Sequence, residues 1–279
     1  MRLHSKVKWG ARTLAGALLA GLFLLPLYWI MTASLRPAGL PPARTVEWLP
    51  PSPTLANYPA IFEMLPMARY LRNSLIVVAA AVPVTAVIAS WAGFALAQFP
   101  DRPRRRWLAL SVATLMIPGA SVWIFRFQIL RWLGLIDSLG ALIVPAFAAG
   151  SPLFVLLFYW TFRRVPPGLY EAARLDGASA FTTWWQVARP LARPTTIAVI
   201  VLSFVLYWSD FISPVLYLYR PALYTLPIGL QILKQLDPTG WPLLMAAATI
   251  MTLPVIGLFI LLQRTFLGDN SLAELLDRN

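Results

Sequence analysis

An all-α, polytopic membrane protein with six transmembrane helices is the fold class this sequence predicts, and three observations predict it. Of the 279 residues, 59% are apolar and 12% charged, and the mean hydropathy is +0.68, too apolar for a water-soluble core of this size. Apolar segments recur at close to the roughly 20 residues that a helix needs to cross the hydrocarbon. The cations between those segments are divided unevenly, as a membrane orientation requires.

The spans are expected at Thr13 to Ser34, Leu71 to Gln98, Trp107 to Phe125, Leu139 to Phe162, Thr195 to Leu218 and Trp241 to Leu262. The first exceeds the roughly 7–15 apolar residues of a signal-peptide core and no A-x-A site follows, so it is expected to stay as an anchored helix. Pro83, Pro118, Pro145, Pro152, Pro214 and Pro254 fall inside spans. Neighbouring helices can satisfy the carbonyls that they free, so kinks are expected rather than breaks.

Lys and Arg concentrate on the cytoplasmic side. With the amino terminus inside, the inner segments hold 15 cations and the outer segments 8, so both termini are expected in the cytoplasm. The formal charge of +12 is then mostly a topology signal. A nucleic-acid partner is not expected, because the cations are scattered over short loops and not gathered on one soluble face. The proline-rich stretch Arg36 to Pro53 should be an outer loop, and Asn57 to Phe62 should lead through a short amphipathic piece into the second helix.

Several chemistries are excluded outright. Without cysteine there is no disulfide, thiol nucleophile or thiolate metal site. No lysine follows a glycine-rich loop, so no GxxxxGK[ST] phosphate cradle is present. The single histidine, His4, lies in a basic tail and cannot build a triad or a histidine metal site.

The segment from Arg163 to Pro194 carries the most specific pattern. Pro166-Pro167 can open a helix, whose first turn needs no backbone donors there. Leu169, Ala172, Ala173 and Asp176 then recur at i, i+3, i+4 and i+7 on one face, and the two alanines permit close approach of another backbone. Gly177 fits a left-handed carboxy cap. Ser179 can cap a second helix on which Phe181, Trp184, Trp185 and Ala188 share a face, and Pro190 and Pro194 end it. Helix, tight turn and helix make a knob shaped for a cleft. Glu171 also admits a plain reading, a first-turn carboxylate favoured by the helix dipole.

The order Glu171-Ala172-Ala173, Gly177, Val187, Pro190 resembles the EAA loop of ABC importer permeases, with Arg189 where that family usually carries Leu. Phe162 to Pro166, Trp208-Ser209-Asp210-Phe211, Ser34 to Pro37, Arg72-Asn73-Ser74, Ala95 to Phe99 and Tyr224 to Leu230 resemble the carbohydrate-uptake branch. The likeness covers nearly the whole chain, although Asn270 to Asn279 lacks the usual glycine-rich basic finish.

That resemblance implies a permease subunit of a sugar importer, similar to the second permease of maltose-type systems, in a bacterial cytoplasmic membrane. It implies a cytoplasmic EAA-type coupling helix in which Glu171, Ala172, Ala173, Asp176 and Gly177 dock on a separate ABC ATPase dimer. It also implies a second permease subunit and an extracytoplasmic solute-binding protein. No cofactor is expected on this chain, ATP and Mg belonging to the ATPase. The expected parts are an amino-terminal helix and outer loop over 1–70, a transmembrane core over 71–264 and a cytoplasmic tail over 265–279.

Tyr207, Trp208, Asp210 and Phe211 are candidates for the solute path. Aromatic rings stack on sugars but also form an interfacial belt, and both readings stay open. Asp210, the sole acidic residue inside an expected span, is costly unless it faces protein or water. An importer of a non-sugar solute, such as a glycerol phosphodiester or polyamine, remains an alternative. A secondary transporter would need more ionisable groups within the membrane, and a membrane scaffold would need no docking knob.

Overall fold

The computed structural model of the chain describes residues 2–39 and 47–268, with side chains over 13–39 and 47–263. Described residues are helical or irregular, with no strand among them. Residues 40–46 of the expected outer loop, the end of the tail from 269, and the side chains of the cations in the first twelve residues lie outside what is described.

The helices are α1 (Arg2–Ser34), α2 (Asn57–Met64), α3 (Met67–Gln98), α4 (Asp101–Leu115), α5 (Gly119–Trp132), α6 (Gly140–Ile143), α7 (Pro152–Arg164), α8 (Pro167–Leu175), α9 (Ala180–Thr182), α10 (Arg189–Leu191), α11 (Arg193–Trp208), α12 (Ile212–Tyr217), α13 (Leu226–Leu236) and α14 (Trp241–Gly268). They gather into two compact units, Met1–Met67 with Gly229–Leu253, and Ala68–Ile228 with Pro254–Asn279.

Four segments are long and apolar enough to cross a membrane: Thr13–Ser34, Met67–Gln98, Gly140–Arg164 and Trp241–Gln263. Two bent pairs, α4 with α5 at 101° and Ala180–Leu191 with α11 at 83°, raise the number to six if each pair is one span. The expected third span, Trp107 to Phe125, is therefore broken and not a straight helix. Pro118 has no N–H to continue the ladder, and α4 closes through Met116 and Ile117 bonding back to Ala113 and Thr114 at 3.1 and 3.3 Å.

Proline context decides the other cases. Pro83 and Pro254 lie within continuous helices, as does Pro26, which the sequence reading passed over. Pro145 instead sits in a 3₁₀ segment, Val144–Ala148. Pro152 opens α7, where a missing donor costs nothing. The expected fifth span stops at Trp208, ten residues short of Leu218; Ser209 to Phe211 are irregular, and Pro214 falls in the first turn of the short α12.

In the first unit the carboxy end of α1 is held by Asn57. Its amide donates to the Ser34 and Arg36 carbonyls, both at 2.7 Å, groups that a helix end leaves without partners. Ser34 Oγ and Tyr58 Oη lie 2.8 Å apart beside it.

In the second unit, α3 is the axis. Gly93 lets α7 approach so closely that a Cβ there would stand 2.6 Å from Phe158 Cβ. Around this crossing Phe94, Phe154, Phe158, Phe162, Tyr170, Trp184 and Val199 form one buried cluster. A second cluster holds Val77, Leu130, Ala141, Leu142, Tyr217 and Leu218, about 25 Å along α3 at 1.5 Å per residue. At the start of α3, Asn73 donates to the Ala222 and Tyr224 carbonyls at 2.9 and 3.0 Å, and Ser74 Oγ accepts from the Leu226 N–H at 2.9 Å.

Candidate functional site

The segment between α7 and α11 forms the expected helix, turn and helix, and its local signals explain why. Val165 and Pro166 are extended, which ends α7, and Pro167 opens α8. Gly177 takes a φ of +75°. Its N–H donates to Arg174 O at 3.0 Å and the Ala178 N–H to Ala173 O at 2.9 Å, the paired closure of a Schellman turn. Ser179 Oγ then accepts from the Thr182 N–H at 3.1 Å and caps the next helix.

The inward face of α8 differs from the expected one. Tyr170 and Ala173 are buried, whereas Leu169, Ala172 and Asp176 face out. Ala173 is thus turned away from its expected neighbours. Leu169 and Tyr170 are both apolar and one position apart, about 100° on a helix, so periodicity alone does not choose between two phases. Glu171 is exposed and lies past the first turn of α8, which holds no acidic residue; the plain first-turn reading of this carboxylate does not apply.

Tyr170 is the residue that the sequence reading missed. Its ring meets Phe94 edge-on at 5.8 Å, and its hydroxyl donates to Phe162 O at 3.3 Å, near the end of α7. Burial pushes its pKa up to about 12. Arg174 reaches across to Gln98 at 2.8 Å. These groups border a recess of about 180 Å³ with Arg163 and Glu171 on its wall.

The second arm is also anchored, but by half of the expected face. Residues Thr183–Ala188 wind as a π-helix, and only Trp184 and Ala188 point inward; Phe181 and Trp185 are exposed. The wider winding accounts for this, because it rotates side chains that an α-helix would align. Trp184 Nε1 donates to Ser90 Oγ at 3.0 Å and its ring lies edge-on to Trp91 at 5.0 Å. The Arg189 guanidinium lies 3.6 Å from the centre of the Trp185 ring, a cation–π contact that holds it on the knob itself. The outer surface left free presents Leu169, Glu171, Ala172, Leu175 and Asp176, with Leu175 88% exposed.

The expected solute-path residues do not all come together. Tyr207 and Asp210 line a cavity of about 50 Å³ with Arg126, Ser213 and Tyr217. Tyr207 Oη is 3.0 Å from Thr85 Oγ1. Trp208 is buried and stacked on Phe204 at 5.5 Å, outside that lining. Phe211 is half-buried in the break. Asp210 is not within a helix; in the irregular stretch after α11 its Oδ1 accepts from the Ser213 N–H at 3.1 Å. Tyr217 Oη is buried without a partner.

Near this region Asp137, at a φ of +59°, ties two loops together. Its Oδ1 accepts from the Tyr219 and Arg220 N–H groups, both at 3.0 Å, and its Oδ2 from Arg220 Nε at 2.6 Å. The Arg220 backbone bond, then that of Tyr219, hold its carboxyl below the usual range. No sequence signal pairs residues so far apart. Among the described residues no group of three or more His, Cys, Asp or Glu could hold a metal ion.

Comparison with known proteins agrees with this geometry. A family described as "Binding-protein-dependent transport system inner membrane component" matches residues 86–267. The sulfoquinovosyl glycerol transport system permease protein SmoH of Agrobacterium fabrum is 31% identical over 252 residues, covering 90% of this chain and 88% of that protein. The arabinooligosaccharides transport system permease protein AraQ of Halalkalibacterium halodurans is 29% identical over 259 residues, 92% of each. A bacterial ABC transporter involved in the import of alginate contains a chain of the same fold, with a TM-score of 0.75 at 19% identity, covering 94% of this chain and 97% of that one. The chain is therefore a member of the binding-protein-dependent transport system inner membrane components, a multi-pass permease subunit of an ABC importer.

Proposed function

We propose that this permease moves a sugar or oligosaccharide into the cell and takes its power stroke through residues 166–194. The solute reading is supported by relatives whose names specify sugar conjugates and arabinooligosaccharides. A binding protein delivers the solute, as the family's description implies. A second permease completes the bundle, and both termini of this chain lie in the cytoplasm.

One observation carries the coupling reading: the knob is keyed into its own bundle on one side and bare on the other. Tyr170, Ala173, Trp184 and Ala188 fix it to α3 and α7, while Leu169, Glu171, Ala172, Leu175 and Asp176 are exposed beside a closed turn at Gly177. A bare apolar and acidic surface on a stiff support is what a partner can push. Closure of an ATPase dimer would move such a lever as one piece and swing the bundle between inward-facing and outward-facing arrangements.

Gly177 provides the test. A Cβ there would meet nothing within 4 Å in this chain, so Gly177→Ala costs only the left-handed backbone, about 1 kcal/mol. Gly177→Trp adds bulk that only a docked partner would feel. In the assembled transporter, ATP hydrolysis stimulated by the binding protein should survive Gly177→Ala and be lost in Gly177→Trp, with both proteins still in the membrane. Undiminished stimulation in Gly177→Trp would remove the coupling role.

A further inference from the structure

Helix α4 is 15 residues long, yet none of them is buried. Its two faces nevertheless differ. Arg104, Leu108 and Ser111 are half-buried, with Leu108 against the core cluster and Arg104 bonded to Phe99 O and to Asp101. The opposite face carries Arg102, Arg105 and Arg106 at i, i+3 and i+4, all exposed. The same face then runs on, at i+7, i+8 and i+11, through Ala109, Leu110 and Ala113, also exposed.

We infer that this face of α4 binds an anionic phospholipid lengthwise, its headgroup on Arg102, Arg105 and Arg106 and its acyl chain along Ala109, Leu110 and Ala113. Charge complementarity argues for the headgroup: no acidic residue occurs between Arg102 and Ile117, and Asp101, in the first turn of α4, is paired with Arg104 and not with the three exposed arginines. Clustered arginines beside a membrane helix attract anionic lipid in this way. Length allows the chain, since the face runs on from Arg106 to Ala113 for about 10 Å, within the roughly 15 Å of hydrocarbon in one leaflet. Trp107, exposed beside the arginines, is a residue that settles at headgroup level. A purely protein-facing arginine cluster would have no use for the apolar continuation. The inference rests on the chain's place in the membrane and not on the docking of residues 166–194.

The test is native mass spectrometry of the full transport complex, offered phosphatidylglycerol and phosphatidylethanolamine in equal amounts. Phosphatidylglycerol should be retained preferentially, and the preference should weaken as salt is raised. The triple change Arg102→Gln, Arg105→Gln, Arg106→Gln should weaken phosphatidylglycerol binding on the order of a hundredfold, and the triple change to Lys should preserve it. The lysine variant and the salt series do not depend on the glutamine variant folding. Equal retention of both lipids by the unaltered protein would overturn the inference, as would a glutamine variant that keeps the preference. Loss of a protein partner from that variant, with phosphatidylglycerol still bound, would assign the face to that partner.

Discussion

Two regions of the second unit obey opposite packing rules. Beneath the knob, aromatic rings of Trp91, Phe94, Phe162, Tyr170 and Trp184 pack edge to face, and the buried hydroxyl of Tyr170 and N–H of Trp184 each have a partner. Around Asp210 the chain is interrupted at 144–151 and at 209–211, a cavity of about 50 Å³ remains, and the buried Tyr217 hydroxyl has no partner. Close-packed interiors transmit displacement without yielding, whereas interrupted helices around unfilled space can repack. On the proposed reading, this is the difference between a lever at the knob end and a gate at the cavity end.

The largest expected effect comes from removing the keystone of the stiff region. Trp184→Ala should destabilise the protein by about 3–5 kcal/mol, read as a fall in the detergent-solubilised melting temperature. A change smaller than that of an ordinary surface substitution would mean that the knob is not anchored there. Next is Gly93→Ala, whose methyl would overlap Phe158 and the Tyr159 backbone N at 2.6 and 2.9 Å; about 1–3 kcal/mol should be lost by the same measurement.

One chemical change then separates the two regions directly. Tyr170→Phe leaves the Phe162 carbonyl without its donor and should cost about 1 kcal/mol, whereas Tyr217→Phe removes a hydroxyl that satisfies nothing and should be neutral or stabilising. Equal costs at both positions would erase the contrast. The smallest effect concerns pH. Asp137 has a lowered folded-state pKa, so its contribution is present above its unfolded value of 3.8 and is lost as pH falls below it towards the folded value. Melting curves of Asp137→Asn and the unaltered protein should therefore converge on acidification; a constant gap down to the acid limit would contradict the clamp.

Sequence legibility followed how local each signal was. Pro166-Pro167, Gly177 and Ser179 act through their own backbone geometry, so the turns of the knob could be placed from the chain alone. Which face of α8 turns inward could not, because Leu169 and Tyr170 offer two equally apolar phases and only Phe94 and Phe162, distant in sequence, select Tyr170. The prolines show the same limit. Pro83 and Pro254 stay within continuous helices while Pro118 breaks one, and the residue type is identical; what differs is the surrounding packing. Asp210 belonged to an apolar run by composition, yet it sits in the interruption after α11, where its carboxylate receives the Ser213 N–H.

The central claim is that the bare face of α8 lies in the cytoplasm against an ATPase. Because the chain contains no cysteine, Leu175→Cys introduces a unique thiol at a position 88% exposed. On intact cells a membrane-impermeant thiol reagent should leave it unmodified, in inside-out vesicles it should be labelled, and a short bifunctional crosslinker should join it to the ATPase subunit. Labelling from outside intact cells, or crosslinked products that contain no ATPase, would contradict the account.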